Sequence, residues 1–260
     1  MVQSRGLGDV YKRQVMAYDP LRSDWPTDIC RAEFEEILCQ PVISLHANLH
    51  DQSPHASRGL LDAARAEQMV AALSKREDGG LFINAGRGEL MTLEALTQLV
   101  DSPWTVVLDT WPGEPSLSAD LLSRCDWVSP HIAGHSFKAR ENGSDLLAAA
   151  VARWADAEAP AIPELGDRDG VTGGCERRSA DPGDADSVVI GWMTEFLRQQ
   201  SILPRENARL RDAAKAGLTS AEFDHLRKFY QQPAEWTGQP VTIAAGNDGL
   251  RTGAERLGLK

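Results

Sequence analysis

The 260-residue sequence predicts an α/β fold in which helices flank a parallel sheet. This prediction rests on the alternation of two kinds of segment along the chain. Short apolar runs, typical of buried parallel strands, alternate up to Trp154 with segments whose apolar positions follow a helical period. Strands that alternate with helices form right-handed βαβ units, so neighbouring strands are expected to be parallel. A change of composition at Ala159 then indicates that a second, smaller unit follows.

The predicted elements follow one another from Val15. Thr92 suits the N-cap of one helix, because its hydroxyl accepts a hydrogen bond from an exposed backbone amide. The five predicted strands are Val15–Tyr18, Val42–His46, Leu81–Asn84, Thr105–Asp109 and Trp127–Ser129. The predicted helices are Arg31–Leu38, Leu60–Lys75, a helix after Thr92 and Leu146–Trp154.

Composition divides the chain into five segments. Residues 1–14 are polar, and Asp9–Gln14 is the peptide that a sequencing-library transposon end would encode, so we expect this leader to be non-native. The segments after it are a sheet domain over 15–140, a returning helix over 141–158, a Pro/Gly-rich linker over 159–187 and a small α+β unit over 188–260. In the last unit we predict helices over 188–200 and 220–230 and a strand over 241–244. A unit this small is marginally stable alone, so we expect it to pack against a partner.

Charge and composition exclude several classes of protein. The chain has 27 Lys and Arg against 38 Asp and Glu, a net charge of −11, which disfavours nucleic acid as a partner. No apolar run reaches the ~20 residues that span a bilayer, and no signal peptide is present, so we expect a cytoplasmic protein without a membrane partner. The 4 cysteines form no CxxC pair and no metal-like spacing with histidine, so no metal site is predicted.

Three polar residues follow the ends of predicted strands. Ligands bind beyond the carboxyl ends of parallel strands, so we expect Arg87, Glu114 and His131 to share one edge of the sheet. Arginine binds a carboxylate through its planar fork, and histidine exchanges a hydroxyl proton near neutral pH while a carboxylate orients it. The set suits hydride transfer to or from a 2-hydroxy acid. The alternative for each residue is a solvated turn or strand-end position.

Asp19 follows the first predicted strand. An acid at the end of a Rossmann-type strand commonly binds ribose hydroxyls, although a turn-forming role is the alternative. Gly6–Tyr11 begins like the GxGxxG phosphate loop but ends in tyrosine, and no strand precedes it. We therefore expect the phosphate loop and the first βα unit to be missing from this chain.

Three ordered motifs resemble the D-2-hydroxyacid dehydrogenase family: Asn84–Gly88, Val107–Pro115 and Pro130–Gly134. Within that family, Glu222–Tyr230 with Trp236 after it resembles the C-terminal dimerisation domain of the erythronate-4-phosphate dehydrogenases of pyridoxal phosphate biosynthesis. The resemblance implies NAD as cofactor, a phosphorylated 2-hydroxy acid as substrate and a homodimer formed through the C-terminal unit.

The resemblance also implies roles for single residues. Arg87, Glu114 and His131 match the family's catalytic residues, with His131 as proton donor and acceptor. His135 stands where these enzymes usually have a substrate-binding tyrosine. The implied NAD contacts are Asp19, Ala47, Ala85, Gly86, Arg87, Asp109 and Gly134, with Ala47-Asn48 replacing the usual Thr-Pro.

Three hypotheses about function follow. The first is the NAD-dependent oxidation of 4-phospho-D-erythronate by an intact parent protein. Because the family's amino-terminal substrate domain and glycine loop are expected to be missing, the chain alone should show little or no activity. The second is another D-2-hydroxyacid dehydrogenase, acting on glyoxylate, hydroxypyruvate or phosphoglycerate. The third is a non-catalytic dimerisation or regulatory module.

Overall fold

The computed structural model of the protein describes residues 15–26, 29–74, 76, 79–135, 137–154 and 201–230. The predicted leader over 1–14, the linker over 159–187, the helix over 188–200 and the strand over 241–244 lie outside the described residues.

The described strands are all parallel, as the sequence predicts. They form a two-stranded sheet with order β1-β2 and a four-stranded sheet with order β3-β4-β5-β6. Their bounds are β1 Val15–Ala17, β2 Ile29–Arg31, β3 Val42–Leu45, β4 Gly80–Asn84, β5 Trp104–Leu108 and β6 Trp127–Val128.

The strand order differs from a single continuous sheet. In a doubly wound sheet, the strands of the two halves are joined through one further strand at the point where the strand order reverses. Among the described residues no strand pairs with both β1 and β3, so the sheet is divided at that point. The α/β fold class is confirmed.

The helices flank the four-stranded sheet. They are α1 Phe34–Leu38, α2 Ala63–Leu73, α3 Leu93–Val100, α4 Ala119–Arg124, α5 Phe137–Trp154, α6 Leu203–Lys215 and α7 Ser220–Lys228, with a 3-10 helix over Gly88–Leu90. The Thr92 N-cap is confirmed, because its hydroxyl accepts a hydrogen bond from the backbone N of Ala95 at 3.2 Å. The predicted helix start at Arg31 is wrong: Arg31 ends β2, and a capping box between Glu33 and Glu36 begins α1.

The C-terminal helices share the core of the sheet domain. Leu210 of α6 and Phe223 and Leu226 of α7 belong to the same buried cluster as Phe82 and Val106 of the sheet. Helix α6 packs against β6 at the edge of the sheet, and α7 packs against α6.

Two polar side chains of α6 fix that attachment. The side-chain oxygen of Asn207 accepts a hydrogen bond from the backbone N of Val128 in β6, at 3.0 Å. The guanidinium of Arg211 donates to the carbonyl oxygens of Leu122 and Cys125, both at 2.6 Å, at the end of α4. Within the described residues, no helix combines the length and apolar character needed to cross a membrane.

Candidate active site

A histidine and a glutamate meet beyond the carboxyl ends of β5 and β6. Nδ1 of His131 lies 2.7 Å from Oε2 of Glu114, and both side chains are mostly buried, with 23% and 18% exposed. The other oxygen of Glu114 accepts a hydrogen bond from the backbone N of Trp111 at 2.7 Å. An ionised carboxylate only accepts hydrogen bonds, so the contact places a proton on Nδ1 and leaves Nε2 of the neutral ring free to accept another.

The loop that carries His131 is held by a buried aspartate. Oδ1 of Asp109 accepts hydrogen bonds from the Ser129 hydroxyl at 2.6 Å and from the backbone N of Ile132 at 2.8 Å. Oδ2 accepts from the backbone N of Ala133 at 2.9 Å. Asp109 therefore binds a side chain before His131 and two backbone amides after it.

Trp111 joins this loop to the others. Its indole N–H donates to the carbonyl oxygen of Ser129 at 3.2 Å, and the side chain is 1% exposed. On its other side, the backbone of Gly88 lies so close that a Cβ there would be 1.9 Å from the Trp111 carbonyl oxygen. The Arg87 loop, the Glu114 loop and the His131 loop are thus packed together at one edge of the sheet.

The loop with Arg87 is shaped by the buried Asn84. Its side-chain oxygen accepts from the backbone N of Gly86 at 3.1 Å, and its amide donates to the carbonyl oxygen of Arg87 at 3.0 Å. The guanidinium of Arg87 is exposed and donates to the carbonyl oxygen of Gly86 at 2.8 Å. It forms no ion pair with the described part of the chain, so it remains available to bind an anion.

The remaining predicted site residues lie around these loops. A Cβ at Gly86 would lie 3.0 Å from the carbonyl oxygen of Leu45, which places the Ala85–Gly86 turn against the end of β3, two residues before Ala47. Gly134 is exposed, and a Cβ there would meet no atom within 4 Å. His135 is half-buried, and its backbone N donates to the Ile132 carbonyl oxygen at 2.9 Å.

Asp19 lies at a separate cavity of about 210 Å³ that Arg87, Glu114 and His131 do not line. Its Oδ1 accepts a hydrogen bond from the backbone N of Leu21 at 3.1 Å. Oδ2 makes no hydrogen bond with the described residues and can accept one from a ligand. Tyr18, Arg31, Glu33 and His55 are among the other residues that line the cavity.

The sequence predicts a cofactor contact for Asp109, and that role stays a prediction; in the structure both of its carboxylate oxygens bind the loop of His131. No role was predicted for Asn84, Trp111 or Ser129, although the first two lie inside the motifs that carry the resemblance. In the described ranges, no group of three or more His, Cys, Asp or Glu side chains is placed to hold a metal ion.

The chain is similar in sequence to curated proteins of one name. The chain is 31% identical to an erythronate-4-phosphate dehydrogenase of Teredinibacter turnerae over 234 residues, covering 88% of this chain and 58% of that protein. It is also 31% identical to the enzyme of the same name from Pseudomonas aeruginosa PAO1 over 253 residues, covering 93% of this chain and 60% of that protein. These erythronate-4-phosphate dehydrogenases are homologues of the chain. The chain spans about 60% of the length of these curated relatives.

Solved structures of D-2-hydroxyacid dehydrogenases also overlap with part of the chain. A D-lactate dehydrogenase from Lactobacillus jensenii, solved with NAD+, is 23% identical with a TM-score of 0.45, covering 56% of this chain and 47% of that chain. A glyoxylate reductase from Paecilomyes thermophila is 22% identical with a TM-score of 0.43, covering 59% of this chain and 46% of that chain. No protein-family model matches the chain.

Proposed function

We propose that this chain provides the Arg87, Glu114 and His131 site of an NAD-dependent dehydrogenase. Its reaction is the oxidation of 4-phospho-D-erythronate to (R)-3-hydroxy-2-oxo-4-phosphonooxybutanoate, a step of pyridoxal 5′-phosphate biosynthesis. The observation that carries the proposal is the 2.7 Å contact between His131 and Glu114 at the sheet edge. The names of the homologues support the choice of substrate.

The geometry suits removal of a hydroxyl proton. Nε2 of His131 takes the proton of the substrate's C2 hydroxyl, while Nδ1 stays hydrogen-bonded to Glu114. The carboxylate of Glu114 stabilises the positive charge that then forms on the ring. As the C2 hydrogen leaves with its electron pair, the C2–O bond becomes a carbonyl. Arg87 binds the substrate carboxylate through its guanidinium.

The residues present fit one part of a dinucleotide. When bound, NAD accepts the hydride that leaves C2. The free carboxylate oxygen of Asp19, in a cavity of about 210 Å³, suits a pair of ribose hydroxyls, which are hydrogen-bond donors. Ala85, Gly86 and Arg87, with Ala47 and Gly134, would contact the cofactor. Asp109 would lie near the nicotinamide while it holds the loop of His131.

Two further parts of the proposal concern partners. His135, half-buried four residues after His131, would contact the substrate in place of a tyrosine. The C-terminal unit, of which α6 and α7 are described, would form the homodimer contact. The C-terminal resemblance favours 4-phospho-D-erythronate over glyoxylate, hydroxypyruvate or phosphoglycerate as the substrate.

The proposal is tested by expressing the complete reading frame that contains these residues in its source genome. The purified protein is mixed with NAD and, one at a time, with four 2-hydroxy acids: 4-phospho-D-erythronate, 3-phospho-D-glycerate, and glycolate and D-glycerate, the reduced forms of glyoxylate and hydroxypyruvate. NADH fluorescence is followed. We expect NADH from 4-phospho-D-erythronate, lost in His131→Gln and kept in the matched control His225→Gln on α7. If only another acid gave NADH, the proposed substrate would be wrong. If no acid gave NADH, the proposed dehydrogenase reaction would be wrong.

A further inference from the structure

A side chain of the last described helix reaches the backbone of His131. Nε of Arg227 in α7 donates a hydrogen bond to the carbonyl oxygen of His131 at 3.3 Å, across 96 residues of sequence. Arg227 is half-buried, whereas its neighbour Lys228 is exposed. The two cations at the end of α7 therefore differ in their surroundings.

The backbone of His131 has an unusual conformation. Its φ is 56°, and among the described residues other than glycine no second one has a positive φ. A side chain crowds the backbone in this left-handed region, so the conformation persists only where neighbouring groups hold it. Asp109 holds the amides of Ile132 and Ala133 after the histidine, whereas Arg227 holds its carbonyl oxygen.

Helix α7, which carries Arg227, is packed against the core and capped at its start. Phe223 and Leu226 are 1% and 8% exposed and belong to the core of the sheet domain. At the start of the helix, Thr219 and Glu222 form a reciprocal capping box. The position of the guanidinium is therefore set by a packed helix rather than by a loop.

We propose that Arg227 is a positioning residue for His131, which extends the functional site into the C-terminal helices of the same chain. By binding the carbonyl oxygen, Arg227 keeps the left-handed backbone in place and so keeps Nδ1 on the carboxylate of Glu114. The catalytic meaning of this role rests on the proposed function. The structural claim, that Arg227 controls the His131–Glu114 contact, is measured without turnover.

The test uses the full chain labelled with ¹⁵N-histidine. Ring ¹H–¹⁵N signals are recorded by NMR, and His131→Gln identifies those of His131. Arg227→Gln and Lys228→Gln each remove one positive charge from the last turn of α7, and Arg227→Lys keeps a donor. Glu114→Gln gives the reference shift for a weakened Nδ1 contact.

We expect Arg227→Gln to move the His131 Nδ1 signal in the direction of the Glu114→Gln reference. Arg227→Lys should move it less, and Lys228→Gln should leave it in place. An unmoved signal in Arg227→Gln, or an equal shift in Lys228→Gln, would overturn the proposal. Simultaneous loss of the signals of all six histidines would also overturn it, because Arg227 would then support the fold as a whole. An absence of dehydrogenase activity would refute the proposed function and leave this result standing.

Discussion

The buried carboxylate of Asp109 offers a quantitative test of how the histidine loop is held. Asp109→Asn keeps one oxygen, which still accepts from the Ser129 hydroxyl and the backbone N of Ile132. The new amide faces the backbone N of Ala133, so two donors oppose each other in a site that is 6% exposed. Losing one hydrogen bond to a charged group and leaving a buried N–H unpaired costs about 2–3 kcal/mol.

The assay is urea unfolding of the chain, followed by circular dichroism. Asp120→Asn is the matched control, because Asp120 is 79% exposed and lies 3.6 Å from Arg124. An exposed ion pair of this kind contributes about 0.5 kcal/mol or less. Equal losses in the free energy of unfolding for the two variants would refute the view that Asp109 holds this loop.

Three other predictions follow from single contacts. In the complete protein, Glu114→Gln should lower kcat roughly 100-fold, because the acid–base histidine loses its charged partner, and NADH formation measures this. Gly88→Ala should lower the melting temperature and cost about 2 kcal/mol or more, since its Cβ would lie 1.9 Å from a backbone oxygen, whereas Gly134→Ala should change it little. Hydrogen bonds from Thr219 lower the pKa of Glu222 below its ordinary value of 4.5. The ionised Glu222 therefore stabilises the fold above that pH, and this contribution to the free energy of unfolding is lost as the pH falls. Acid unfolding of Glu222→Gln should lack this pH-dependent loss.

The parallel α/β fold could be predicted because its signals are local. Buried strands such as Thr105–Asp109 are continuous apolar runs, and Thr92 marks a helix start by its hydroxyl. The same alternation places Arg87, Glu114 and His131 after strands, and the structure brings Glu114 and His131 into contact. The roles of these residues remain predictions.

Helix α6 was not predicted because its buried face is only partly apolar. Glu206, Leu210 and Ala214 are its buried residues, so the apolar stripe contains a charged side chain. The signal that marks its start is Pro204 in the first turn.

Two further contacts depend on tertiary structure. Asp109 stands at a strand end, as predicted, but the sequence does not show that both of its oxygens turn towards the backbone around His131. Arg227 and His131 are 96 residues apart, and no local pattern links them. The Asp109 contacts form when the ends of β5 and β6 come together in the sheet, and the Arg227 contact forms only when the C-terminal helices pack on it.

The most direct test of the account follows deuterium from C2 of the substrate. The complete protein is incubated with NAD and 4-phospho-D-erythronate carrying deuterium at C2. The masses of the cofactor and of the acid are then measured by mass spectrometry. We expect deuterium in NADH and a 2-oxo acid in the wild type and in His225→Gln, with neither in His131→Gln. Unchanged substrate in the wild type, or full transfer in His131→Gln, would contradict it.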